Sequence, residues 1–228
     1  GIGTIDSTGS VNTDAGFSIV SYSGNSTAGA TIAHGLGATP KMMIVRKRNS
    51  AENWLVYHAS TGNTGATLLN GTNAFFQDDM WNSTSPTSSV FTVHGGAGAN
   101  ASGGTYIAYC FTDVKGYSKF SSYIGNGNAD GAFVYTGFKS AFVMIKKTSG
   151  TGNWCLFDNK RGVNGAMIQL NPDVNNADNT SNYIDFLSNG FKCRNTASDK
   201  NASGGSYIYM AFSENPFVTS TGVPATAR

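Results

Sequence analysis

Short segments in which apolar and polar residues alternate follow one another along the chain, and Gly, Asn or Ser residues separate them. This period of two is typical of β-strands, because successive side chains of a strand point to opposite faces. No segment has apolar residues at helical spacing. The pattern predicts seven strands in the first half, at 17–23, 30–34, 41–48, 53–58, 66–70, 89–94 and 104–113. It predicts seven more in the second half, at 117–124, 131–136, 141–147, 153–158, 166–170, 184–193 and 205–213.

The two halves contain the same landmarks in the same order. Asn53-Trp54 corresponds to Asn153-Trp154, and Asn100-Ala101-Ser102-Gly103-Gly104 corresponds to Asn201-Ala202-Ser203-Gly204-Gly205. The nearly constant offset predicts an all-β fold made of two tandem, homologous β-sandwich or jelly-roll-like units of about 100 residues each. We expect an N-terminal linker or edge strand at 1–15, a first unit at 16–115, a second unit at 116–217 and a C-terminal tail at 218–228.

Several residues are predicted to form the cores of the two units. The segments 106–111 and 207–212 are apolar on both faces, as in strands that are covered on each side. Trp54 and Trp154 recur at equivalent positions, which favours core packing over ligand contact. The three cysteines, Cys110, Cys155 and Cys193, correspond to apolar residues in the other half, so they are predicted to be small core side chains without a disulfide.

Charge and composition argue against several classes of partner. Charged residues are only 12% of the chain and the net charge is +2. The one basic run, Arg46-Lys47-Arg48, would point to both faces of a strand and form no phosphate-binding stripe. The apolar runs are far shorter than the roughly 18 residues of a membrane span. We therefore predict no nucleic-acid partner and no membrane insertion.

Catalytic chemistry has little support in the sequence. The three histidines, His34, His58 and His94, have no histidine at the matching positions of the second half, and no nucleophile, base and acid occur at a recognisable spacing. The stretch Gly95-Gly96-Ala97-Gly98 lies between predicted strands and lacks the following helix that a phosphate site requires. The sequence predicts a protein that is not an enzyme and has no cofactor and no metal.

Two loops that differ between the halves remain as candidates for binding. In the first, the acidic pair Asp78-Asp79 lies beside aromatic residues; a pair of carboxylates could serve a glycosidase, although neighbours on a strand face opposite ways. The second loop, 171–179, is rich in side-chain oxygens and could hold calcium, but Asn and Asp at these positions favour ordinary turns.

One set of segments resembles a known family. The run Ala33-His34-Gly35-Leu36-Gly37-Ala38-Thr39-Pro40-Lys41-Met42-Met43-Ile44-Val45 is similar to a pattern in virion proteins of tailed bacteriophages, as are 54–58, 133–139, 185–192 and the closing Ala211-Phe212-Ser213-Glu214-Asn215-Pro216-Phe217. Together they resemble an uncharacterised β-rich domain at the C-terminal end of long, often tail-fibre-like proteins. The resemblance covers about residues 16–217 and supplies no catalytic residues.

The resemblance implies a phage structural protein, located in the virion and folded in the host cytoplasm. The function expected from it is that of a distal tail-fibre or spike domain that binds a host surface component, glycan before protein, and contacts other virion subunits. A homotrimer is implied by analogy with phage fibres. The alternatives are a capsid-decorating or tail-assembly protein and, less favoured, a polysaccharide depolymerase. Loops are where a repeated scaffold can acquire binding, so the predicted ligand-binding residues are Phe75, Phe76, Asp78, Asp79, Trp81, Asp173, Asn175, Asn176, Asp178 and Tyr183.

Overall fold

A computed structural model describes residues 2–163, 166–181 and 183–214. Within these ranges the chain forms seventeen β-strands and a single short helix, so the predicted all-β class is confirmed. The chain divides into two compact units. Unit 1 comprises Gly1–Asn70 and Phe75–Asp113, and unit 2 comprises Gly71–Ala74 and Val114–Arg228. The predicted tail, 218–228, lies outside the described residues.

Unit 1 contains one large and one small antiparallel sheet. Its strands are β1 (Ser7–Asn12), β2 (Phe17–Ser23), β3 (Ala30–Ala33), β4 (Met42–Lys47), β5 (Leu55–His58), β6 (Gly62–Leu68), β7 (Phe76–Gln77), β8 (Val90–Val93) and β9 (Thr105–Phe111). The large sheet has the order β1-β2-β9-β4-β5-β6-β7, and β3 pairs with β8 in the small sheet. Strand β1 occupies the sheet edge, within the segment that was expected to be a linker or an edge strand.

Unit 2 also contains a large and a small sheet. Its elements are β10 (Ser118–Ile124), β11 (Phe133–Tyr135), β12 (Ser140–Lys147), β13 (Trp154–Val163), β14 (Ala166–Leu170), β15 (Ile184–Leu187), β16 (Gly190–Cys193), α1 (Ser198–Asn201) and β17 (Ser206–Ser213). The large sheet has the order β10-β17-β12-β13-β14, and the small sheet has the order β11-β16-β15. The central five strands of the large sheet in unit 1, β2-β9-β4-β5-β6, follow the same sequential order.

The two sheets of each unit enclose a core. In unit 1, inward residues of the large sheet such as Val45 and Tyr106 cluster with Ile32 and Phe91 of the small sheet. In unit 2, Ile145 and Tyr209 of the large sheet cluster in the same way with residues of the small sheet. Each unit is thus a two-layer β-sandwich. Its smaller sheet has two strands in unit 1 and three in unit 2.

Trp54 does not belong to either core, contrary to the prediction. Its ring is half-buried and stacks on Tyr109 with centroids 6.5 Å apart, while the guanidinium of Arg46 lies 5.7 Å from its centroid. Trp154 is buried, but it alternates with the inward residues Cys155 and Phe157 and therefore faces away from the core cluster. The recurring tryptophans are on the outer faces of the large sheets, because alternation along β5 and β13 gives the inner face to their neighbours.

The most strongly repeated sequence segment closes one end of each sandwich. The Tyr106 hydroxyl donates to the Ala97 carbonyl at 2.7 Å and accepts from the Ala101 amide at 2.8 Å. The side chain of Asn100 accepts from the Asn25 amide at 2.9 Å and donates to the Thr27 carbonyl at 2.9 Å. These bonds satisfy backbone N–H and C=O groups of the loops that cross the end of the sheet.

Unit 2 repeats this arrangement. The Tyr207 hydroxyl bonds to the Ser198 carbonyl and the Ala202 amide at 2.7 and 2.8 Å. Asn201 accepts from the Asn126 amide at 3.0 Å and donates to the Asn128 carbonyl at 2.8 Å. The repeated Asn-Ala-Ser-Gly-Gly segment therefore has a structural role.

Several details differ from the strand prediction. The segment 184–193 forms two strands, β15 and β16, because the chain reverses at Ser188 and Asn189. The short strand β7 and the helix α1 were not predicted, since elements of two and four residues are too short to show a period.

No helix in the described part of the chain is long and apolar enough to span a membrane.

Candidate functional site

The first predicted binding loop, in unit 1, is held mainly by internal contacts. Phe76 packs against the core cluster, and the backbone at Gly65 lies close to the Phe75 ring. Asp78 and Asp79 are exposed and belong to a turn, not to a strand. The Asp79 carboxylate accepts hydrogen bonds from the amide and the hydroxyl of Ser83. Asp79 therefore stabilises the turn, as Asp commonly does.

Trp81 was predicted to contact a ligand, and that assignment is wrong. The side chain is fully buried, its ring meets that of Tyr57 edge to face at 5.8 Å, and its indole N–H donates to the Gly65 carbonyl at 3.0 Å. A buried ring with a satisfied donor contributes to the core. Trp81 takes the place in the unit 1 core that the sequence pattern had predicted for Trp54.

The second predicted loop, in unit 2, is anchored at both ends. Asp173 accepts a hydrogen bond from the Trp154 amide at 3.1 Å, and burial raises the pKa of its carboxyl despite this bond and the nearby Lys146. The Tyr183 hydroxyl and the Asn179 amide group are joined at 2.8 Å. Asp173 and Tyr183 are therefore structural residues of this loop.

The exposed part of this loop offers three side chains. Asn175 and Asn176 are exposed, and Asp178 lies 3.7 Å from the guanidinium of Arg161. Within the described ranges, no three His, Cys, Asp or Glu side chains come close enough together to hold a metal ion. Hydrogen bonds therefore hold the ends of the loop, and polar side chains are exposed at its tip.

His34 is buried in the turn that precedes β4. Its Nδ1 accepts a hydrogen bond from the Leu36 amide at 3.2 Å, and its Nε2 lies 3.2 Å from the Thr87 carbonyl. Burial lowers the pKa of His34, so the neutral imidazole is favoured. Both ring nitrogens are engaged in holding the turn.

A pocket of about 380 Å³ lies at the end of the large sheet of unit 1. Strand β1 and the residues before it, the end of β2, the start of β9 and the residue after β4 form its walls. The residues that line the pocket are Ile5, Asp6, Thr8, Ser21, Tyr22, Ser23, Arg48, Thr105 and Tyr106. Backbone contacts connect three of these walls: the amide of Arg48 donates to the Thr105 carbonyl at 2.7 Å, and Ser23 pairs with Thr105 in the sheet.

Hydrogen-bonding groups of the pocket are available to a ligand. In the described part of the chain, no hydrogen bond or ion pair engages the guanidinium of Arg48, the carboxylate of Asp6 or the hydroxyl of Ser23. The hydroxyls of Thr8 and Ser21 are 3.0 Å apart and share a hydrogen bond. Because a guanidinium offers five donors and a carboxylate only acceptors, the pocket presents both kinds of group.

A second polar feature, which we call the Lys200 cluster, is buried in unit 2. It consists of Lys200, Asp199, Gln169, Cys155 and Tyr183. The Lys200 amine lies 2.6 Å from Oδ1 of Asp199, 2.7 Å from Oε1 of Gln169 and 3.9 Å from the ring centroid of Tyr183. It also lies 3.8 Å from Sγ of Cys155, a thiol whose pKa is raised, chiefly by burial.

The corresponding region of unit 1 is apolar. Sheet register and the repeated Asn-Ala-Ser-Gly-Gly segment match Cys155, Gln169, Asp199 and Lys200 to Leu55, Ala66, Gly98 and Ala99. A side chain at Gly98 would collide with Leu55, at 2.9 Å from Cδ1. Unit 2 thus has polar residues at positions where unit 1 has an apolar core. Burying a charged amine costs free energy unless it is paired, and here Asp199 and Gln169 are its partners.

Neither the pocket nor the Lys200 cluster was predicted from the sequence. Arg48 occurs in a short basic run and Asp6 in the polar N-terminal segment. Both segments are typical of solvent-exposed surface. The groups come together only through the pairing of β1 with β2 and of β2 with β9. The signal that could have revealed the Lys200 cluster was the comparison of Asp199-Lys200 with Gly98-Ala99 directly before the repeated motif.

The chain belongs to DUF7483, a family described as a domain of unknown function, whose model matches residues 1–216. No curated protein and no solved structure matched the chain in the corresponding comparisons. The family match spans both sandwiches, so both belong to this family domain.

Proposed function

We propose that this protein is a virion domain of a tailed bacteriophage, the distal part of a tail fibre or spike, and that the pocket of unit 1 binds a host surface glycan. The resemblance of 33–45, 54–58, 133–139, 185–192 and 211–217 to such proteins supports the phage assignment. By analogy with phage fibres the protein is a homotrimer in contact with other virion subunits. No catalytic step forms part of the proposal.

The observation that carries the glycan proposal is the chemistry of the pocket. Sugar hydroxyls both donate and accept hydrogen bonds, and the lining of the pocket includes unengaged donors from Arg48 and unengaged acceptors from Asp6. The hydroxyls of Ser23 and Thr105 add groups that do both. Strand pairing fixes the backbone at Ser23 and Thr105 before a ligand arrives, which lowers part of the entropic cost of binding.

The loop residues predicted from sequence are a smaller part of the proposal. Of the ten, five have exposed polar side chains: Asp78, Asp79, Asn175, Asn176 and Asp178. They lie on two different units, the first two on unit 1 and the other three on unit 2. We assign them no contact with the ligand in the pocket.

Binding to an array of bacterial surface polysaccharides tests the proposal. Wild-type protein should bind at least one polysaccharide, and Arg48→Ala should reduce that affinity at least about tenfold, as expected for loss of a charge-assisted hydrogen bond. Thr105→Val removes one hydroxyl with little change in shape and should weaken binding less. Lys47→Ala is the matched control, because alternation on β4 directs Lys47 to the opposite face.

Binding that Arg48→Ala and Thr105→Val leave unchanged would remove the pocket from the proposal. A protein that binds none of the polysaccharides and none of the host cells from which they were prepared would contradict the attachment function itself. Sedimentation of purified protein would show whether it is a trimer.

A second candidate function, in particle assembly, is favoured by one observation in unit 2. Phe133 and Tyr135 are 47% and 65% exposed and lie on the same side of the edge strand β11, while Val134 between them faces the core. Neighbouring exposed aromatic side chains on an edge strand are suited to contact with another protein. The paired variant Phe133→Ser with Tyr135→Ser should leave polysaccharide binding unchanged and abolish incorporation into particles if this surface serves assembly.

A further inference from the structure

The Lys200 cluster brings an amine, a carboxamide and a carboxylate into contact inside unit 2. Lys200 is 2% exposed and Gln169 is 4% exposed. The amine nitrogen of Lys200 contacts the carboxamide oxygen of Gln169 at 2.7 Å and the Asp199 carboxylate at 2.6 Å. This arrangement holds a nucleophile beside a carbonyl group, with a proton acceptor next to the amine.

The orientation of the carboxamide is also fixed. Nε2 of Gln169 donates to Oδ1 of Asn171 at 3.2 Å, so the carboxamide turns its oxygen toward Lys200 and its nitrogen toward Asn171. Asn171 is held in turn, because its own amide group donates to the Trp154 carbonyl at 2.8 Å. The reacting groups are thus positioned by hydrogen bonds to the sheet, which can replace a large part of the entropic barrier of an intermolecular reaction.

We infer that Lys200 and Gln169 form a covalent isopeptide cross-link, with Asp199 as the group that transfers protons. The bond between Nζ of Lys200 and Cδ of Gln169 forms, and the bond between Cδ and Nε2 breaks. The cross-link follows from contacts within unit 2 and is independent of the proposed function.

The step balances without an oxidant or a cofactor. Asp199 accepts one proton from the Lys200 ammonium. The lone pair of the resulting neutral amine attacks Cδ of Gln169 and gives a tetrahedral intermediate. A second proton then passes from Nζ through Asp199 to Nε2, and the bond between Cδ and Nε2 breaks. The released ammonia takes up the proton that Asp199 still holds and departs as ammonium. A carboxylate within hydrogen-bond distance of the amine is the geometry that general acid and base catalysis requires.

Cys155 is not the nucleophile in this step. Its side chain is fully buried, and burial raises the pKa of the thiol, so the thiolate is disfavoured. The thiol instead donates to Oδ2 of Asp199 at 3.3 Å. Cys155 is a positioning residue that orients the carboxylate toward Lys200.

The cross-link would join β14 to α1, which are separated by 31 positions along the chain. Between them lie the 171–181 loop and the strands β15 and β16. A covalent bond at this point would link β14 to α1, where the matching residues of unit 1, Ala66 and Ala99, have only apolar side chains. It also removes the cost of keeping a charged amine buried, because the product is a neutral amide.

Mass spectrometry of the denatured and reduced full chain tests the inference. The mass should be lower than that of the sequence by one ammonia. Trypsin should no longer cleave after Lys200, and the digest should contain one branched peptide that joins 162–192 to 195–228. The full sequence mass after prolonged incubation of the folded protein would overturn the inference.

Variants separate this reaction from other losses of ammonia. Asp199→Asn and Lys200→Arg should both keep the full mass. Lys146→Arg, at the other fully buried lysine, should still lose one ammonia. A lost ammonia that maps to an asparagine, as in succinimide formation, would also overturn the inference. The wild-type mass and its branched peptide decide the question even if a variant does not fold.

Discussion

The rings of Tyr22 and Tyr106 stack in parallel across strands β2 and β9 with centroids 5.1 Å apart. Each hydroxyl donates to a carbonyl of the same loop, Tyr22 to the buried Ala99 carbonyl and Tyr106 to that of Ala97. In unit 2, Tyr123 and Tyr207 stack at 5.0 Å and donate to Lys200 and Ser198. The Tyr22–Tyr106 and Tyr123–Tyr207 pairs are a structural feature that the two sandwiches share, and they explain why the repeated tyrosines accompany the repeated Asn-Ala-Ser-Gly-Gly segment.

Removing one of these hydroxyls should lower stability. Tyr22→Phe leaves the Ala99 carbonyl without its donor inside the protein, and the expected loss is about 1–3 kcal/mol in the free energy of unfolding. Urea denaturation followed by circular dichroism measures the loss. Tyr135→Phe, at a 65% exposed ring, should change stability by less than about 0.5 kcal/mol. Equal effects of the two substitutions would contradict this role of the pair.

Gly24 should not tolerate any side chain. A Cβ at this position would lie 2.3 Å from the Ala101 carbonyl oxygen, and one at the equivalent Gly125 would lie 2.4 Å from that of Ala202. Because the obstacle is backbone, Gly24→Ala should destabilise unit 1 by more than about 2 kcal/mol. Gly96→Ala is the control, since its nearest neighbour would be 3.7 Å away. Thermal melts of the two variants should differ clearly, and a normal melting temperature for Gly24→Ala would refute the close approach.

Trp81 and Trp54 should respond differently to the same substitution. Trp81→Phe creates a void and leaves the Gly65 carbonyl without the indole donor, so it should cost about 2–4 kcal/mol. Trp54→Phe, on the half-buried outer face, should cost less than about 1 kcal/mol. Chemical denaturation of both variants measures the difference. If Trp54→Phe proves the more costly, the assignment of the core tryptophan is incorrect.

Stability should depend on alkaline pH through Lys146. This side chain is fully buried, its amine donates to the Gly152 and Gly71 carbonyls, and burial lowers its pKa from 10.5 to about 8, against the effect of the nearby Asp173. Between these two pH values the unfolded chain binds more protons than the folded one, so the contribution of Lys146 to stability rises with pH. Below about pH 8 that contribution is at its lowest.

The measurement compares wild-type protein with Lys146→Met. The difference in the free energy of unfolding should move in favour of the wild type as pH rises from about 8 to 10.5. Taking the difference cancels the ionisation of the buried cysteines and tyrosines, which acts in the opposite direction. A difference that stays constant over this pH range would show that Lys146 is not buried as a neutral amine.

Most of the strands could be predicted from sequence, because alternation is a local property. The strands predicted at 17–23 and 117–124 correspond closely to β2 and β10 of the structure. Short elements and turns could not be predicted in the same way. The pair Ser188-Asn189 divides one predicted strand into β15 and β16, since two polar residues within a run of ten do not interrupt a period of two.

The sequence by itself determined the all-β class, the positions of most strands and the burial of the three cysteines, because each follows from the polarity of neighbouring residues. Only the tertiary structure decided which tryptophan belongs to the core of unit 1, since alternation gives two faces without saying which one is covered. It also decided that Arg48 and Asp6 line the same pocket and that Lys200 contacts Gln169. Those encounters depend on strand pairing and chain reversal between distant residues, and no local pattern of side chains encodes them.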